Sequence, residues 1–194
     1  MAMTTKVMLI NSENIDSAPI EAALQENGFL LAEKLECGEN ANLRIEECSP
    51  DIIVINTSSP SGDTLDIVRT INQNIPRPIV MFSEHGDSVT IEKATKAGVS
   101  AYVLNDIRSH RIKSVMDAAV ARFKELQRLK EELSETRLKL DERKNIDRAK
   151  GLLMRKRRLD ENEAYRLLQK MAMKQNKRIG EIAKNILAMA DLIG

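Results

Sequence analysis

The feature that most constrains the fold is a long stretch without helix breakers. From Val99 to Lys150 the sequence contains neither glycine nor proline, whereas all five prolines lie in the first 78 residues. Because proline removes a backbone donor and glycine weakens helices, their absence lets a helix continue without interruption. The sequence therefore predicts a loop-rich first half and a helical second half, and 194 residues suffice for one ordinary domain and a smaller one.

Short apolar runs alternate with amphipathic stretches in the first half. The runs predict strands at Val7–Ile10, Ile52–Ile55 and Ile79–Phe82, with Ala101–Leu104 as a weaker fourth candidate, and a strand near Leu30–Leu35 completes the set. Helical patterns lie between them at Ile15–Asn27, Asn42–Cys48, Leu65–Gln73 and Val89–Lys96. Aliphatic runs bounded by turn residues are typical of buried parallel strands. We therefore expect an α/β fold with a doubly wound, five-stranded parallel sheet.

The second half begins with one long helix, from about Ser109 to Arg157. Its length is roughly 49 residues, or about 73 Å at the usual helical rise. Steps of three, four and seven residues form a coiled-coil seam along it, namely Ala119, Leu126, Leu129, Leu133, Thr136 and Leu140. A parallel homodimer would bury this seam, with Leu126, Leu129, Leu133 and Leu140 as the dimerisation residues. An amphipathic helix that folds back on its own domain is the alternative.

Two shorter helices follow the long one. Asp160 and Glu163 form a capping-box pattern, with Leu159 as the hydrophobic staple, at the start of a helix that runs to about Lys174. A second apolar stripe begins at Ile179. With the end of the long helix, these elements predict a three-helix bundle.

Charge is divided unequally between the two halves. Residues 1–110 carry 8 Lys and Arg against 16 Asp and Glu, whereas residues 111–194 carry 22 against 13. Such asymmetry indicates a nucleic-acid or membrane partner for the basic half, although a solvated helix surface also fits. No segment has the roughly 20 apolar residues of a membrane span and no signal peptide is evident, so we expect a cytoplasmic protein without a membrane partner.

The basic residues of the long helix gather near its end. The pattern buries Ile146, Ala149 and Leu153 and places Lys144, Arg148, Gly151 and Arg155 on the opposite side, with Arg143 and Lys150 at the flanks. Glycine inside a helix costs about 1 kcal/mol relative to alanine, which is explained if another backbone approaches there. That backbone is either a phosphodiester, which we favour, or a packing helix.

The next helix adds Arg166 and Lys170 on its polar face and Tyr165 at the edge of that face. A tyrosine beside cations can stack on an unpaired base, as RNA-binding proteins do. A half-buried core aromatic is the alternative. We expect RNA contacts from Arg143, Lys144, Arg148, Lys150, Gly151, Arg155, Tyr165, Arg166 and Lys170.

Catalytic and metal-binding patterns are missing from the sequence. Cys37 and Cys48 lie far apart without nearby histidines, and His85 and His110 have no paired acid or nucleophile at a recognisable spacing. There is no glycine-rich phosphate loop. We therefore predict no catalytic residues, no metal site, no cofactor and no enzymatic activity.

The first half resembles the receiver domain of two-component response regulators, a flavodoxin-like fold. The resemblance rests on the strings at 50–56, 78–83 and 97–105. In receivers a carboxylate nucleophile, an acidic pair for Mg²⁺ and a lysine act together. Here Asn56 takes the nucleophile's position, Asn11 and Ser12 the acidic pair's and Asn105 the lysine's, and only Ser83 matches. The resemblance implies a pseudo-receiver without phosphoryl chemistry.

The second half resembles the ANTAR RNA-binding domain of transcription antiterminators. The strings at 143–154 and 161–173 carry the resemblance, above all Ala149-Lys150-Gly151-Leu152-Leu153-Met154 and Glu163-Ala164-Tyr165. Pseudo-receiver and ANTAR domain together are similar to the NasT/AmiR type, nearer to the regulators of nitrate assimilation. The implied domains are a pseudo-receiver at 1–120, a coiled-coil dimerisation helix at 121–142 and an ANTAR RNA-binding bundle at 143–194.

This resemblance also implies a mechanism. A homodimer binds a leader mRNA with two tandem stem-loops, prevents the terminator hairpin and lets transcription continue. Control comes from a ligand-sensing, nitrate-sensor-type protein that sequesters the regulator. The alternative is a coiled-coil signalling adaptor whose basic helical tip binds an acidic protein. A DNA-binding regulator is less favoured, because no helix-turn-helix is evident.

Overall fold

The computed structural model describes residues 4–12, 15–36, 41–104 and 108–193. Its strands are β1 (Lys6–Asn11), β2 (Leu30–Glu36), β3 (Ile52–Thr57), β4 (Ile79–Ser83) and β5 (Ala101–Leu104). Its helices are α1 (Ala18–Glu26), α2 (Ala41–Cys48), α3 (Gly62–Asn74), α4 (Ser88–Ala97), α5 (Ser109–Arg157), α6 (Glu161–Gln175) and α7 (Ile179–Ile193). Cys37 and Asn105, both considered above, lie outside the described residues.

The strands form one parallel sheet in the order β2-β1-β3-β4-β5. This order confirms the predicted doubly wound, receiver-like sheet. The direction of winding reverses between β1 and β3. From β1 the chain continues to β2 at one edge of the sheet, and from β3 it continues to β4 and β5 toward the other edge. In such folds the carboxyl ends of the strands at the reversal form the usual ligand site. The last residue of β1, Asn11, pairs directly with Asn56 of β3 there.

Both faces of the sheet are covered, which explains why the central strands β1, β3 and β4 are nearly continuous apolar runs. Successive side chains of a strand point to opposite faces. Val7 and Leu9 accordingly pack against α1 and the first turns of α5, while Met8 and Ile10 belong to the cluster under α2, α3 and α4. The core is almost entirely aliphatic, as the scarcity of aromatic residues requires.

The helix ends follow the sequence signals closely. Gly98 ends α4 with a φ of 117°, a left-handed conformation that suits glycine. Asp160 accepts a hydrogen bond from the Glu163 backbone N–H at 2.7 Å, and the Glu163 carboxylate accepts one from the Asp160 backbone N–H at 2.9 Å, so the capping box is confirmed. Two helix starts were wrong by three residues: α1 begins at Ala18 instead of Ile15, with Pro19 in its first turn, and α3 begins at Gly62 instead of Leu65.

Helix α5 contains 49 residues and has no interruption at Gly151. One part of the predicted seam was wrong: Ala119 is buried in the core of the sheet domain, because the first turns of α5 cover the sheet. The four leucines of the seam are half-exposed in the single chain, with exposures of 47%, 46%, 52% and 53% for Leu126, Leu129, Leu133 and Leu140. Among the described helices, none is both long and apolar enough to cross a membrane.

The end of α5 forms a small helical bundle with α6 and α7. Its core combines Ala149 and Leu153 of α5, Ala164, Leu168 and Ala172 of α6, and Ile182 and Ala183 of α7. Leu159 packs against this cluster, as the staple pattern predicts. The chain divides into two compact units, residues 1–127 and 128–194, and α5 runs through the boundary.

Candidate nucleic-acid interface and receiver site

Two amides, Asn11 and Asn56, lie side by side at the positions where the resemblance to receivers predicts acidic residues. The Asn56 Nδ2 donates to the Asn11 Oδ1 at 2.8 Å, and the Asn11 Nδ2 donates to the Ile15 carbonyl at 2.8 Å. Both side chains are 4% exposed. An amide is not a nucleophile toward phosphorus and carries no charge to hold Mg²⁺. The geometry therefore joins β1 to β3 by hydrogen bonds where receivers place charged groups.

The other receiver residues lie near this amide pair. Ser83 ends β4, and its hydroxyl lies 2.7 Å from the His85 carbonyl oxygen and 3.0 Å from that of Ser58. The Tyr102 hydroxyl donates to the same His85 carbonyl at 3.0 Å. A pocket of about 330 Å³ beside Asn56 and Ser83 is also lined by Asp16 and Glu84. Asn105 cannot be placed with them, since it lies outside the described residues.

We expect this receiver site to resist phosphorylation. Incubation with acetyl phosphate and Mg²⁺ should leave the mass of the intact protein unchanged, because position 56 supplies no carboxylate. The single variant Asn56→Asp should also stay unmodified, since Asn11 and Ser12 provide no acidic pair for the metal. Mass spectrometry of both proteins, with an active receiver as positive control, tests this. An aspartyl phosphate on the native chain would contradict it.

The predicted basic face is present at the end of α5. Lys144, Arg148 and Arg155 are exposed, whereas Ile146, Ala149 and Leu153 face the bundle. The Lys144 Nζ lies 4.0 Å from the Asp141 Oδ1. Within the described residues, Arg148 and Arg155 form no hydrogen bond or ion pair, so both guanidinium groups are available to a ligand.

Gly151 lies between these two arginines on the helix. A Cβ built at Gly151 meets no atom within 4 Å outside the local helix backbone. The packing-helix explanation of this glycine is therefore wrong for the described part of the chain. The space in front of Gly151 is open to a partner.

Lys150 differs from the arginines because its charge is already paired. Its ammonium lies 2.8 Å from the Glu161 carboxylate and 2.9 Å from that of Asp147, and its side chain is only 16% exposed. The hydrogen bonds that Lys150 donates, first to Glu161 and second to Asp147, raise the pKa of Lys150, and the hydrogen bond from Lys150 lowers the pKa of Asp147. Lys150 thus connects α5 to the first turn of α6, and an RNA contact from it stays a prediction.

Replacing Lys150 with methionine tests this connecting role. Lys150→Met keeps a side chain of similar length and removes the cation shared by Asp147 and Glu161. We expect the thermal midpoint of the helical unit to fall by roughly 2–4 °C, since ion pairs to solvent-exposed carboxylates such as Asp147 and Glu161 contribute modestly. Circular dichroism melting measures it. Lys144→Met, which removes only the 4.0 Å contact with Asp141, is the matched control, and equal midpoints for the two variants would contradict the role.

The remaining predicted contacts lie on α5 and α6. Arg143, Arg166 and Lys170 belong to the predicted set, and Arg166 and Lys170 are exposed on α6. Tyr165 is 39% exposed and does not belong to the buried cluster of the bundle, so its ring is accessible for stacking. The sequence did not point to Leu152, Leu187 and Ala190, which line a groove beside Arg148 and Arg155. In the sequence, the apolar character of these three residues indicated only that they belong to the core of the bundle.

The matches to family models agree with the division of the chain into a sheet unit and a helical unit. The model of the response regulator receiver domain matches residues 7–117, and that of the ANTAR domain matches residues 134–187. The chain therefore belongs to the response regulators that join a receiver domain to an ANTAR domain. This is a class of regulatory proteins.

Particular relatives support the assignment. The chain is 26% identical over 186 residues to the transcriptional regulatory protein PdtaR of Mycobacterium tuberculosis, a match that covers 96% of this chain and 91% of PdtaR. It is 41% identical over 68 residues to the nitrate regulatory protein of Klebsiella oxytoca, but this match covers 35% of this chain and 17% of that protein. The first match spans nearly the whole of both chains, whereas the second spans only a part of each.

Solved structures match the receiver half. The signal receiver domain of a modulated diguanylate cyclase from Desulfovibrio desulfuricans G20 has a TM-score of 0.54 and 16% identity, covering 62% of this chain and 97% of that one. A LuxR-family response regulator from Aurantimonas sp. SI85-9A1 also has a TM-score of 0.54, with 23% identity, covering 61% of this chain and 86% of the other. At these identities the likeness shows the receiver fold alone.

Proposed function

We propose that this chain is an RNA-binding transcription antitermination regulator. It binds a leader mRNA element of two tandem stem-loops and prevents formation of the terminator. The observation that carries this proposal is the pair Arg148 and Arg155, exposed cations without partners among the described residues, on either side of the open position at Gly151. Membership of the ANTAR response regulators supports the same function.

The position of this face on α5 supports a dimer that holds one RNA. At about 100° per residue, Leu133 and Leu140 lie within the same arc of about 60° as Lys144, Gly151 and Arg155. A parallel coiled coil along the leucines therefore turns both basic faces toward the dimer axis. Pairing ends near Leu140, because beyond it cations would oppose cations. The two tips then lie on either side of a polyanion, as two stem-loops require.

The controlled genes and the control mechanism are further parts of this proposal. The match to the nitrate regulatory protein of Klebsiella oxytoca supports a role in nitrate or nitrite assimilation. The uncharged pair of Asn11 and Asn56 supports control by a ligand-sensing partner protein instead of phosphorylation. In this arrangement the receiver half is a docking surface.

Binding to RNA hairpins tests the proposal. A library of tandem RNA hairpins with randomised loops is selected by affinity on the full-length protein, and the winner is compared with duplex DNA of equal length in a gel shift at moderate salt. We expect tight binding to the tandem hairpins and weak binding to DNA. Failure to select any RNA would contradict the proposal and favour the adaptor that binds an acidic protein.

A further inference from the structure

The helical unit contains a groove between α5 and α7 next to the basic face. Its volume is about 610 Å³. Leu152 and Met154 of α5 and Leu187 and Ala190 of α7 give it apolar walls, and Arg148, Gly151 and Arg155 complete the lining. Among the described residues, no carboxylate lines it.

The charges and the apolar walls restrict what can occupy this groove. Arg148 and Arg155 have no partner within the described part of the chain, so an acidic occupant meets cations that are not already neutralised. The walls offer no acceptor side chain and suit a flat, apolar group. A nucleotide combines both properties, since its base presents two apolar faces and its phosphates are anionic.

Only an unpaired nucleotide can use the groove in this way. Bases inside a duplex are stacked and paired, whereas the bases of loops and bulges can turn outward and enter a protein cavity. Gly151 fits this arrangement, because any larger side chain would project from α5 into the groove. The described part of the chain gives no other reason for glycine here, since a Cβ would meet no atom within 4 Å.

We infer that the groove at Gly151 receives an unpaired loop nucleotide of the bound RNA. The base lies against Leu152, Leu187 and Ala190, and the neighbouring phosphates contact Arg148 and Arg155. This inference rests on the proposed RNA-binding function and deepens it. The contacts between the arginines and phosphates then provide affinity for any RNA, whereas the groove makes tight binding depend on an unpaired base in the loop.

Filling the groove tests this inference with variants that should fold well. Gly151→Ala replaces a helix-interior glycine with a better helix former, so its thermal midpoint should rise by about 4 °C. Gly151→Leu should also fold, because the space at this position is open. Both should bind the selected tandem-hairpin RNA more weakly, Gly151→Leu by roughly 5- to 100-fold, which is the usual value of one stacked base.

Asn185→Leu is the matched control, since it adds the same side chain at an exposed position of α7 that does not line the groove. We expect this variant to bind the RNA as the native protein does. Light scattering should show that Gly151→Leu and the native protein have the same oligomeric state. A change of that state would overturn the inference, because the groove would then contact a second copy of the chain.

The RNA provides the second half of the test. The selected RNA is made with an abasic site at each loop position in turn. For the native protein one position should reproduce the loss caused by Gly151→Leu, and Gly151→Leu itself should be insensitive to that same change. If Gly151→Leu binds the intact RNA as tightly as the native protein, or if no abasic position shows this coupling, the inference is wrong although the protein binds RNA. If the native protein selects no RNA, the proposed function fails first.

Discussion

Reversing the charges of Arg148 and Arg155 together should weaken binding of the selected tandem-hairpin RNA at least about 100-fold. Hydrogen bonds to charged groups contribute roughly 1.5–3 kcal/mol each, and two of them correspond to a loss of this size or more. Both guanidinium groups are exposed and unpartnered among the described residues. Arg148→Glu/Arg155→Glu should therefore remove RNA contacts without removing any hydrogen bond or ion pair that the described residues form.

The dependence on salt gives a second, independent measurement. For every phosphate that the double variant no longer neutralises, the plot of log affinity against log salt should become less steep by about 0.7 for single-stranded RNA. Fluorescence anisotropy titrations between low and moderate salt measure both quantities. The control Lys93→Glu/Arg122→Glu changes the net charge equally at exposed positions of α4 and of the first part of α5. A control that weakens binding as much as the double variant would show that only total charge matters.

Polar residues in the leucine seam should convert a dimer into a monomer. Leu129→Asn/Leu133→Asn places two amides where the proposed coiled coil buries apolar side chains. These leucines are about half exposed in the single chain and belong to none of the described core clusters, so both folded units should remain intact. RNA affinity should fall by about 100-fold or more, because two linked binding events become two separate ones.

Sedimentation velocity measures the oligomeric state, and the same anisotropy titration measures RNA affinity. Leu138→Asn is the matched control: Leu138 is 68% exposed and lies on the side of α5 away from the seam. It should leave the dimer unchanged. A monomeric native protein, or a seam variant that is still a dimer, would contradict the proposed coiled coil.

Local sequence signals predicted most of the fold. Apolar runs bounded by turn residues identified β1, β3 and β4, because a strand buried on both faces leaves no room for polar side chains. The partly exposed β2 and β5 gave weaker signals and completed the predicted set. The absence of glycine and proline between Gly98 and Gly151 predicted α5, and Asp160 with Glu163 predicted the start of α6. These features depend on residues a few positions apart, so they can be recognised in the sequence without knowledge of the tertiary contacts.

The errors arose where the sequence cannot say which surface an apolar residue meets. Ala119 follows the spacing of the seam, yet it packs on the sheet of its own domain. Spacing along a helix defines a face, but it does not identify the partner of that face. The seam from Leu126 to Leu140 stays a prediction for the same reason.

For the candidate site, the sequence by itself determined which chemistry is possible. Asn56 and Asn11 in the place of carboxylates and the cluster of cations around Gly151 are decided by residue type. Only the tertiary structure decided which of those cations are already paired. Lys150 meets Glu161 because α6 turns back beside α5, whereas Arg148 and Arg155 form no hydrogen bond or ion pair among the described residues. It also placed Leu187 and Ala190 of α7 beside Gly151, a proximity set by the packing of two helices far apart in the chain. The charge of a residue and its position around a helix are local properties. Whether a cation is paired and whether a groove forms depend on which distant segments the core brings together.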